Sequence, residues 1–233
     1  MNSRIEALRE GLVETIPEIC PERAVIFTES MKKSEGQPIV KRRAQSLYDV
    51  LDKMTIFVRD GELIVGNQAG TVRGAPVLPE YSVDWILDEF EGKPYHFSER
   101  PCDKFTYTKE TKQKVLETID YWKRKTLIEN VWRELPEKAR LAWEINAIDD
   151  TWCASAGLGN VLPDHEMVLT HGLNYVIAKA EQQLDKLDLT EPGTVSKYWF
   201  LQAVITANKA VINFAHRFAD LLEKEAQKTQ DAE

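Results

Sequence analysis

Residues 198–219 read YWFLQAVITANKAVINFAHRFA, a run that contains neither glycine nor proline. Its apolar side chains, from Phe200 through Val211 to Phe218, point in most directions around a helix. A helix on the surface of a small domain needs only an apolar stripe about 100° wide. The run therefore predicts a helix over about Val195 to Lys224 whose burial requires more neighbours than a small helical core provides.

The rest of the chain shows the same helical spacing in shorter segments. Apolar residues recur every three to four positions, and Pro21, Pro136 and Pro163 lie where a first helical turn accepts proline. This pattern predicts a mainly α-helical fold. The predicted helices cover Arg4–Ile16, Glu22–Ser34, Ile39–Lys53, Tyr81–Phe90, Thr108–Asp120, Tyr121–Trp132, Glu137–Asn146 and a segment from Pro163 to about Leu187.

One segment, Thr55–Gly66, has a different pattern. The β-prone runs Ile56–Val58 and Leu63–Val65 flank Asp60-Gly61, a dipeptide that accepts the positive φ of a tight hairpin turn. The segment predicts a β-hairpin. The expected fold class is therefore mainly α with one β-hairpin.

Composition and charge restrict the class of partner. The 233 residues include 38 acidic and 30 basic side chains, a formal net charge of −8. Nucleic acids and anionic membranes both attract clusters of Lys and Arg, so we expect neither as a partner. The sequence has no apolar run of about 18 residues and no signal-peptide core, which predicts a cytoplasmic protein. Cys20, Cys102 and Cys153 lie far apart and outside any metal-ligand spacing, so no metal site is expected.

Six short stretches carry a family resemblance through their order and spacing. They are Thr28–Gly36 (TESMKKSEG), Arg42–Ala44 (RRA), Ile56–Asn67 (IFVRDGELIVGN), Arg73–Pro76 (RGAP), Pro79–Glu80 (PE) and Tyr121–Lys123 (YWK). Together they resemble the amino-terminal region of glycyl radical enzymes of the pyruvate formate-lyase type, especially the diol dehydratase, choline lyase and related branches. The resemblance extends from about Glu22 to Leu222, and its ordered set of matches makes it specific.

The resemblance implies a ten-stranded α/β barrel surrounded by helices, of which this chain would supply the amino-terminal helical part. Members of the family form a thiyl radical on a central cysteine from a radical stored on a glycine near the carboxyl terminus. A separate activating enzyme, with an iron–sulfur cluster and S-adenosylmethionine, installs the glycyl radical. The chemistry implied for this chain therefore depends on a cysteine and a glycine in particular sequence contexts.

Neither context is present in the chain. The family's cysteine lies in a stretch resembling Gly-Cys-Val-Glu and its glycine in Arg-Val-x-Gly-Tyr, and none of the three cysteines has such neighbours. We expect residues 1–233 to be the amino-terminal portion of a pyruvate formate-lyase-like domain, truncated before the catalytic cysteine and glycyl radical loops. On this reading the chain has no catalytic residue of its own and binds no cofactor by itself.

The resemblance also implies two substrate-contacting positions in the loop before Pro163, namely Trp152 and Asn160. Dehydratases similar to this chain carry a histidine at the second position, and the asparagine amide can exchange hydrogen bonds but no proton. Trp152 adds apolar surface. We therefore expect a substrate with an apolar or aromatic part, or a leaving group other than water. The alternative interpretation is structural, with Trp152 in the core and Asn160 capping the next helix or tying the loop.

The function expected from this resemblance is one wall of the substrate cavity in a radical carbon–carbon or carbon–heteroatom lyase. The implied partners are the remainder of the enzyme, in the same or a separate chain, the activating enzyme and a small-molecule substrate, with a homo-oligomer of the full enzyme. Two alternatives stay open at this point. One is a stand-alone helical binding or scaffold protein that has lost the chemistry, and the other, within the family, is a dehydratase of a small diol or hydroxylated substrate. Whether the chain takes part in an enzyme is thus not decided by the sequence.

Overall fold

The computed structural model of the protein describes residues 2–148 and 163–228. Within these ranges the chain is mainly helical, with one two-stranded parallel sheet, and the predicted mainly α class is confirmed. The elements in chain order are α1 (Ser3–Glu14), β1 (Glu18–Cys20), α2 (Glu22–Lys33), α3 (Ile39–Lys53), β2 (Gly74–Pro76), α4 (Asp84–Glu91), α5 (Lys109–Trp122), α6 (Leu127–Glu134), α7 (Glu137–Glu144), α8 (His165–His171), α9 (Leu173–Leu184) and α10 (Thr194–Lys228).

The chain divides into two compact units. The first unit comprises Met1–Thr15, Ile26–Val72 and Pro163–Glu233, and the second comprises Ile16–Val25 and Arg73–Leu162. Each unit has its own buried side chains.

The first unit is organised around α10, which packs against α3 and α9. On the α9 side, Ile205 is buried together with Ile177 and Ala180. On the α3 side, Lys41 lies over the ring of Trp199, 5.1 Å from its centroid. The helix predicted from residues 198–219 is thus confirmed, and at about 1.5 Å per residue its 35 residues extend over about 50 Å.

The outer side of α10 keeps apolar side chains in contact with solvent. Phe200 is 59% exposed, and Val211 and Leu222 are also exposed. These three residues follow one another at intervals of eleven positions, about three helical turns, and so lie along one line. The predicted requirement for additional neighbours around this helix stays a prediction. Among the described helices, α10 included, none combines the length and the apolar character that a membrane crossing needs.

The second unit is built on a short parallel sheet and an aromatic cluster. β1 pairs with β2 in the register Glu18 to Gly74 through Cys20 to Pro76. The rings of Phe90, Phe97 and Tyr107 meet edge to face, with centroids 5.1 to 6.0 Å apart. The sequence did not predict this sheet, because three-residue strands next to prolines are too short to show a period.

The predicted β-hairpin over Thr55–Gly66 is wrong. Its turn does form, since Gly61 has a φ of +80° and the Glu62 amide donates to the Arg59 carbonyl at 3.1 Å. The flanking runs, however, form no strands in this described part of the chain. A two-stranded hairpin is marginal unless one face is packed, and Leu63 and Ile64 point into solvent instead.

The predicted helix from Pro163 to about Leu187 is divided into α8 and α9. Gly172 ends α8 with a φ of +72° and ψ of 171°, a conformation outside the helical region that only glycine adopts easily. The boundary between α5 and α6 is also shifted relative to the predicted helices. Thr126 caps α6, so the chain between Trp122 and Leu127 is a connection and not helix.

Arg217 of α10 supplies a first test of this architecture. Its guanidinium donates to the carbonyls of Leu51 and Met54, at 2.6 and 2.8 Å, at the end of α3. We expect Arg217→Met to lower the free energy of unfolding by about 2 kcal/mol, because two charge-assisted hydrogen bonds are lost. Urea unfolding measures the change, and Lys209→Met, at an exposed position of the same helix, is the control. Equal stability of the two variants would contradict the capping role.

Candidate functional site

The two substrate-contacting positions implied by the resemblance, Trp152 and Asn160, lie outside the described residues. The structure describes both flanks of their loop, as far as Ile148 on one side and from Pro163 on the other. The upstream flank belongs to the second unit and the downstream flank to the first.

The upstream flank is a rigid corner between α6 and α7. The rings of Trp132 and Trp143 meet edge to face with centroids 5.5 Å apart. Arg140 donates to the carbonyls of Leu135 and Arg133, at 2.9 Å in each case. Because the last carbonyls of α6 have no partner within their own helix, a cation from α7 satisfies them and holds the corner.

The chain leaves α7 through a tight turn that exposes apolar side chains. Asn146 adopts a φ of +55°, and its amide donates to the Trp143 carbonyl at 2.9 Å. Leu141, Ile145 and Ile148 are all exposed; Leu141 belongs to α7, and the other two lie in the turn that follows it. We call these three residues the α7 apolar face. It lies directly before the loop in the sequence.

The start of α6 is fixed by a capping box. The Thr126 hydroxyl accepts the backbone amide of Glu129, and the Glu129 carboxylate accepts the backbone amide of Thr126. The Thr126 hydroxyl also donates to Glu129 Oε2 at 2.6 Å. The Glu129 carboxylate also accepts the Arg124 amide at 2.9 Å. Partial burial acts to raise the pKa of Glu129, but hydrogen bonds from Thr126 and Arg124 and the charge of Arg133 outweigh it, so the pKa lies below its ordinary value. The folded chain thus favours the ionised carboxylate at this cap.

A buried ion pair supports the segment on which α6 begins. The Arg23 guanidinium donates to both carboxylate oxygens of Glu80, at 2.5 and 3.1 Å, and the Glu80 side chain is only 4% exposed. The Glu80 carbonyl in turn accepts the Leu127 amide at 2.9 Å, and the Tyr81 carbonyl accepts the Ile128 amide at 3.1 Å. Arg23 therefore stabilises the segment at Glu80 and Tyr81 whose carbonyls accept the first two amides of α6.

Sequence reasoning missed this pair. Arg23 and Glu80 are 57 positions apart, and the sequence links Pro79-Glu80 only to the family resemblance. A glutamate inside an otherwise apolar and proline-containing segment, Val77-Leu78-Pro79-Glu80, was the available signal. Such a residue needs a cation when it is buried.

The downstream flank begins at the cap of α8. The Asp164 carboxylate accepts the Met167 amide at 2.9 Å, which fixes where the helix starts. At the other end the rings of His171 and Tyr175 lie 4.6 Å apart. In the described part of the chain, no three His, Cys, Asp or Glu side chains are grouped so that they could hold a metal ion.

Comparison with known proteins gives consistent matches along the whole chain. The family model described as pyruvate formate lyase-like matches residues 1–233. The probable dehydratase YbiW of Escherichia coli is 28% identical over 222 residues, covering 95% of this chain and 27% of the relative. An isethionate sulfite-lyase of Nitratidesulfovibrio vulgaris is 31% identical over 240 residues, covering 99% of this chain and 28% of the relative. The chain thus spans a little over a quarter of the length of these curated relatives.

Solved structures give the same result at the level of the fold. The glycerol-bound B12-independent glycerol dehydratase from Clostridium butyricum matches with a TM-score of 0.94 at 33% identity, over 100% of this chain and 29% of that one. A protein of 1,2-propanediol dehydration in Roseburia inulinivorans matches with a TM-score of 0.92 at 33% identity, over 98% of this chain and 28% of that one. A glycyl radical enzyme from Archaeoglobus fulgidus matches with a TM-score of 0.84 at 27% identity, over 98% of this chain and 29% of that one.

The buried ion pair gives a second test. Arg23→Met keeps an apolar stem but leaves the Glu80 carboxylate without its cation, so we expect the free energy of unfolding to fall by about 3 kcal/mol. Urea denaturation measures it. Lys114→Met, which breaks the exposed pair of Lys114 with Glu110, is the matched control and should change stability little. The double variant Arg23→Met/Glu80→Leu should regain part of the loss, and no regain would contradict a charge effect.

The capping box gives a test with pH. Because the pKa of Glu129 in the folded chain lies below its ordinary value of 4.5, the carboxylate stabilises the fold fully above that value and loses this contribution as the pH falls through the folded pKa. Glu129→Gln should therefore be less stable than the parent at about pH 7, with the difference shrinking at about pH 3.5. Urea midpoints at both pH values measure it, with the exposed Glu134→Gln of the same helix as control. A difference that is constant with pH would refute the assignment.

Proposed function

The chain belongs to the pyruvate formate lyase-like family, and on this premise we propose that it forms part of the wall of the substrate cavity in a glycyl radical lyase or dehydratase. Its function would be to bind and orient a small substrate, while the reacting cysteine and the radical glycine belong to the remaining part of the enzyme. The chain by itself would not be catalytic.

One observation carries this proposal. All of this chain matches a glycerol-bound dehydratase with a TM-score of 0.94, yet covers only 29% of that protein. A segment that keeps the fold of its relative so closely is suited to pack against the same kind of remainder. This favours a part of an enzyme over a stand-alone scaffold.

Within the cavity we assign substrate contacts to Trp152 and Asn160. The supporting structure is the corner of α6 and α7, where Arg140 and the edge-to-face pair of Trp132 and Trp143 hold the chain upstream of the loop. The Asn160 amide would donate and accept hydrogen bonds to a substrate oxygen without carrying its proton away. The α7 apolar face continues the apolar character of Trp152 along the chain, which suits a substrate with an apolar or aromatic part.

The reaction class follows from the same two residues. A leaving group other than water does not require a proton-transferring side chain at position 160, and among the relatives an isethionate sulfite-lyase is 31% identical to this chain. Dehydration of a small diol or hydroxylated substrate is the second candidate. It is favoured by the dehydratases among the relatives, such as the (2S)-3-sulfopropanediol dehydratase of Klebsiella oxytoca at 27% identity over 98% of this chain and 28% of that relative.

The proposal includes the partners that such an enzyme needs. These are the remaining part of the glycyl radical enzyme, a radical S-adenosylmethionine activating enzyme that would install the glycyl radical, and a small-molecule substrate. We place the complete enzyme in the cytoplasm as a homo-oligomer. This chain's own contribution is limited to binding and orienting, and to excluding water around the substrate.

The first experiment asks whether the remainder exists. The genome that encodes this chain should also encode Gly-Cys-Val-Glu and Arg-Val-x-Gly-Tyr motifs, either in continuation of this sequence or in a separate chain. Co-production of that polypeptide with this chain and the activating enzyme, without oxygen, should give the electron paramagnetic resonance signal of a glycyl radical. If no such polypeptide is encoded, the enzymatic role is abandoned and the scaffold alternative takes its place.

The second experiment tests the assigned contacts in that complete enzyme. Asn160→His should raise water elimination from a vicinal diol on the order of tenfold, because histidine can transfer a proton. Trp152→Ala should raise KM for substrates with an apolar part. The radical signal is the control for folding and activation and should not change. Unchanged kinetics in both variants would assign the two residues to structure and not to the cavity.

A further inference from the structure

Two adjacent aliphatic side chains stand out on the surface of the first unit. Leu63 is 78% exposed and Ile64 is 93% exposed. Single exposed apolar residues are common on proteins, but a neighbouring pair exposed to this extent removes almost no apolar area from water within its own chain. We call these two residues the Leu63–Ile64 tip.

The tip is held in place by polar contacts on both sides. Arg59 and Glu62 form an ion pair at 2.7 Å across the turn that precedes it. Arg4 of α1 donates to the Gly61 carbonyl at 2.6 Å. After the tip, the Asn67 amide donates to the carbonyls of Thr55 and Ala69 at 2.8 and 2.6 Å.

These contacts make the tip a fixed projection rather than a free loop end. Partial burial acts to raise the pKa of Glu62, but hydrogen bonds and charge from Arg59 hold it below its ordinary value, which favours the ionised pair in the folded chain. A preorganised projection loses little conformational entropy when it binds. The turn therefore presents Leu63 and Ile64 in a form that suits binding.

The sequence around the tip is suited to a partner that this chain does not provide. Leu63-Ile64-Val65 is a β-prone run, yet in the part of the chain that the structure describes it pairs with no strand. The sequence pattern predicted a hairpin here, and the hairpin does not form within the chain. Strongly apolar composition without burial is typical of a surface that another segment covers.

The lengths of the relatives indicate which polypeptide covers the Leu63–Ile64 tip. The chain covers 27 to 29% of the curated relatives and solved structures compared above. In each of them, most of the polypeptide lies outside the matched part and is available to pack on this surface. A second copy of this chain has no comparable support.

We propose that the Leu63–Ile64 tip is a docking point that inserts into an apolar pocket on the remaining part of the enzyme. The inference rests on the proposed function, because it needs that remainder to exist. Leu63 and Ile64 would form the dry centre of the contact, while Arg59, Asp60 and Glu62 form its polar rim. The tip would thereby fix the first unit on the rest of the enzyme without touching the substrate.

The probe for this proposal is a hybrid enzyme that contains the whole chain. Residues 1–233 replace the matching part of the Clostridium butyricum glycerol dehydratase, whose fold is similar with a TM-score of 0.94. Hydroxyl-radical footprinting with mass spectrometry then measures the reactivity of Leu63 and Ile64 in the isolated chain and in the hybrid. We expect oxidation in the hybrid to fall to about a fifth or less, in proportion to the exposed area that is lost. Equal oxidation in both proteins, with the hybrid folded, overturns the proposal.

Substitutions give an independent measurement. Ile64→Lys should leave the Tm of the isolated chain unchanged and lower the Tm of the hybrid by about 3 °C, because it places a charge in the pocket. Ile64→Val is the matched control and should keep the Tm of the hybrid. If Ile64→Lys and Ile64→Val have the same effect in the hybrid, the tip is not a docking point. Should the full hybrid fail to fold, the same two measurements are made on the glycerol dehydratase carrying only residues 56–67 of this chain.

Two further outcomes separate this proposal from others. If the isolated chain sediments as a dimer and Ile64→Lys makes it a monomer, the occupant is a second copy and the proposal is wrong. A hybrid that eliminates water from glycerol while the tip stays reactive would retain the proposed function and refute the docking point. A protected tip in a folded hybrid that shows the glycyl radical signal but binds neither glycerol nor isethionate would support the docking point and count against the proposed function.

Discussion

The second unit depends on the ion pair of Arg23 and Glu80, because a buried carboxylate is tolerated only beside a cation. Its consequences extend beyond the pair. The backbone that carries Glu80 accepts the first amide of α6, so the pair also fixes where α6 begins. The corner of α6 and α7 then positions the end of α7, and the candidate substrate loop starts there. A charged contact far from the loop in sequence thus contributes to the geometry of its upstream flank.

Arginine side chains also satisfy backbone carbonyls at helix ends, in both units. Arg217 satisfies two carbonyls at the end of α3, and Arg140 satisfies two at the end of α6 in the second unit. Helix ends leave carbonyls without partners, and apolar packing cannot supply donors to them. A planar side chain with several donors can serve two carbonyls at once. Guanidinium groups therefore satisfy the open carbonyls at the ends of α3 and α6.

The sequence predicted the helices best where local and long-range requirements coincide. Helix α3 was predicted with its observed bounds, because its apolar spacing and the preceding proline both start it at Ile39.

The hairpin was wrong because β-propensity acts only when a packed face accepts the strands, and the turn chemistry of Asp60-Gly61 is satisfied without them. The break at Gly172 was missed because an amphipathic stripe continues across it. The pair of Arg23 and Glu80 was missed because no periodicity connects residues so far apart. Trp152 and Asn160 came from the family resemblance alone, since spacing says nothing about which loop faces a substrate.

The line of exposed apolar side chains on α10 has a consequence for biosynthesis. In a relative of which about 240 residues make up 28%, roughly 600 residues remain to be made after the matched part has left the ribosome. At about 5 to 20 residues per second this takes on the order of one minute. A nascent segment with this fold would present Phe200, Val211 and Leu222 to solvent throughout that time. The slower the translation, the longer these apolar side chains stay exposed before the later residues can cover them.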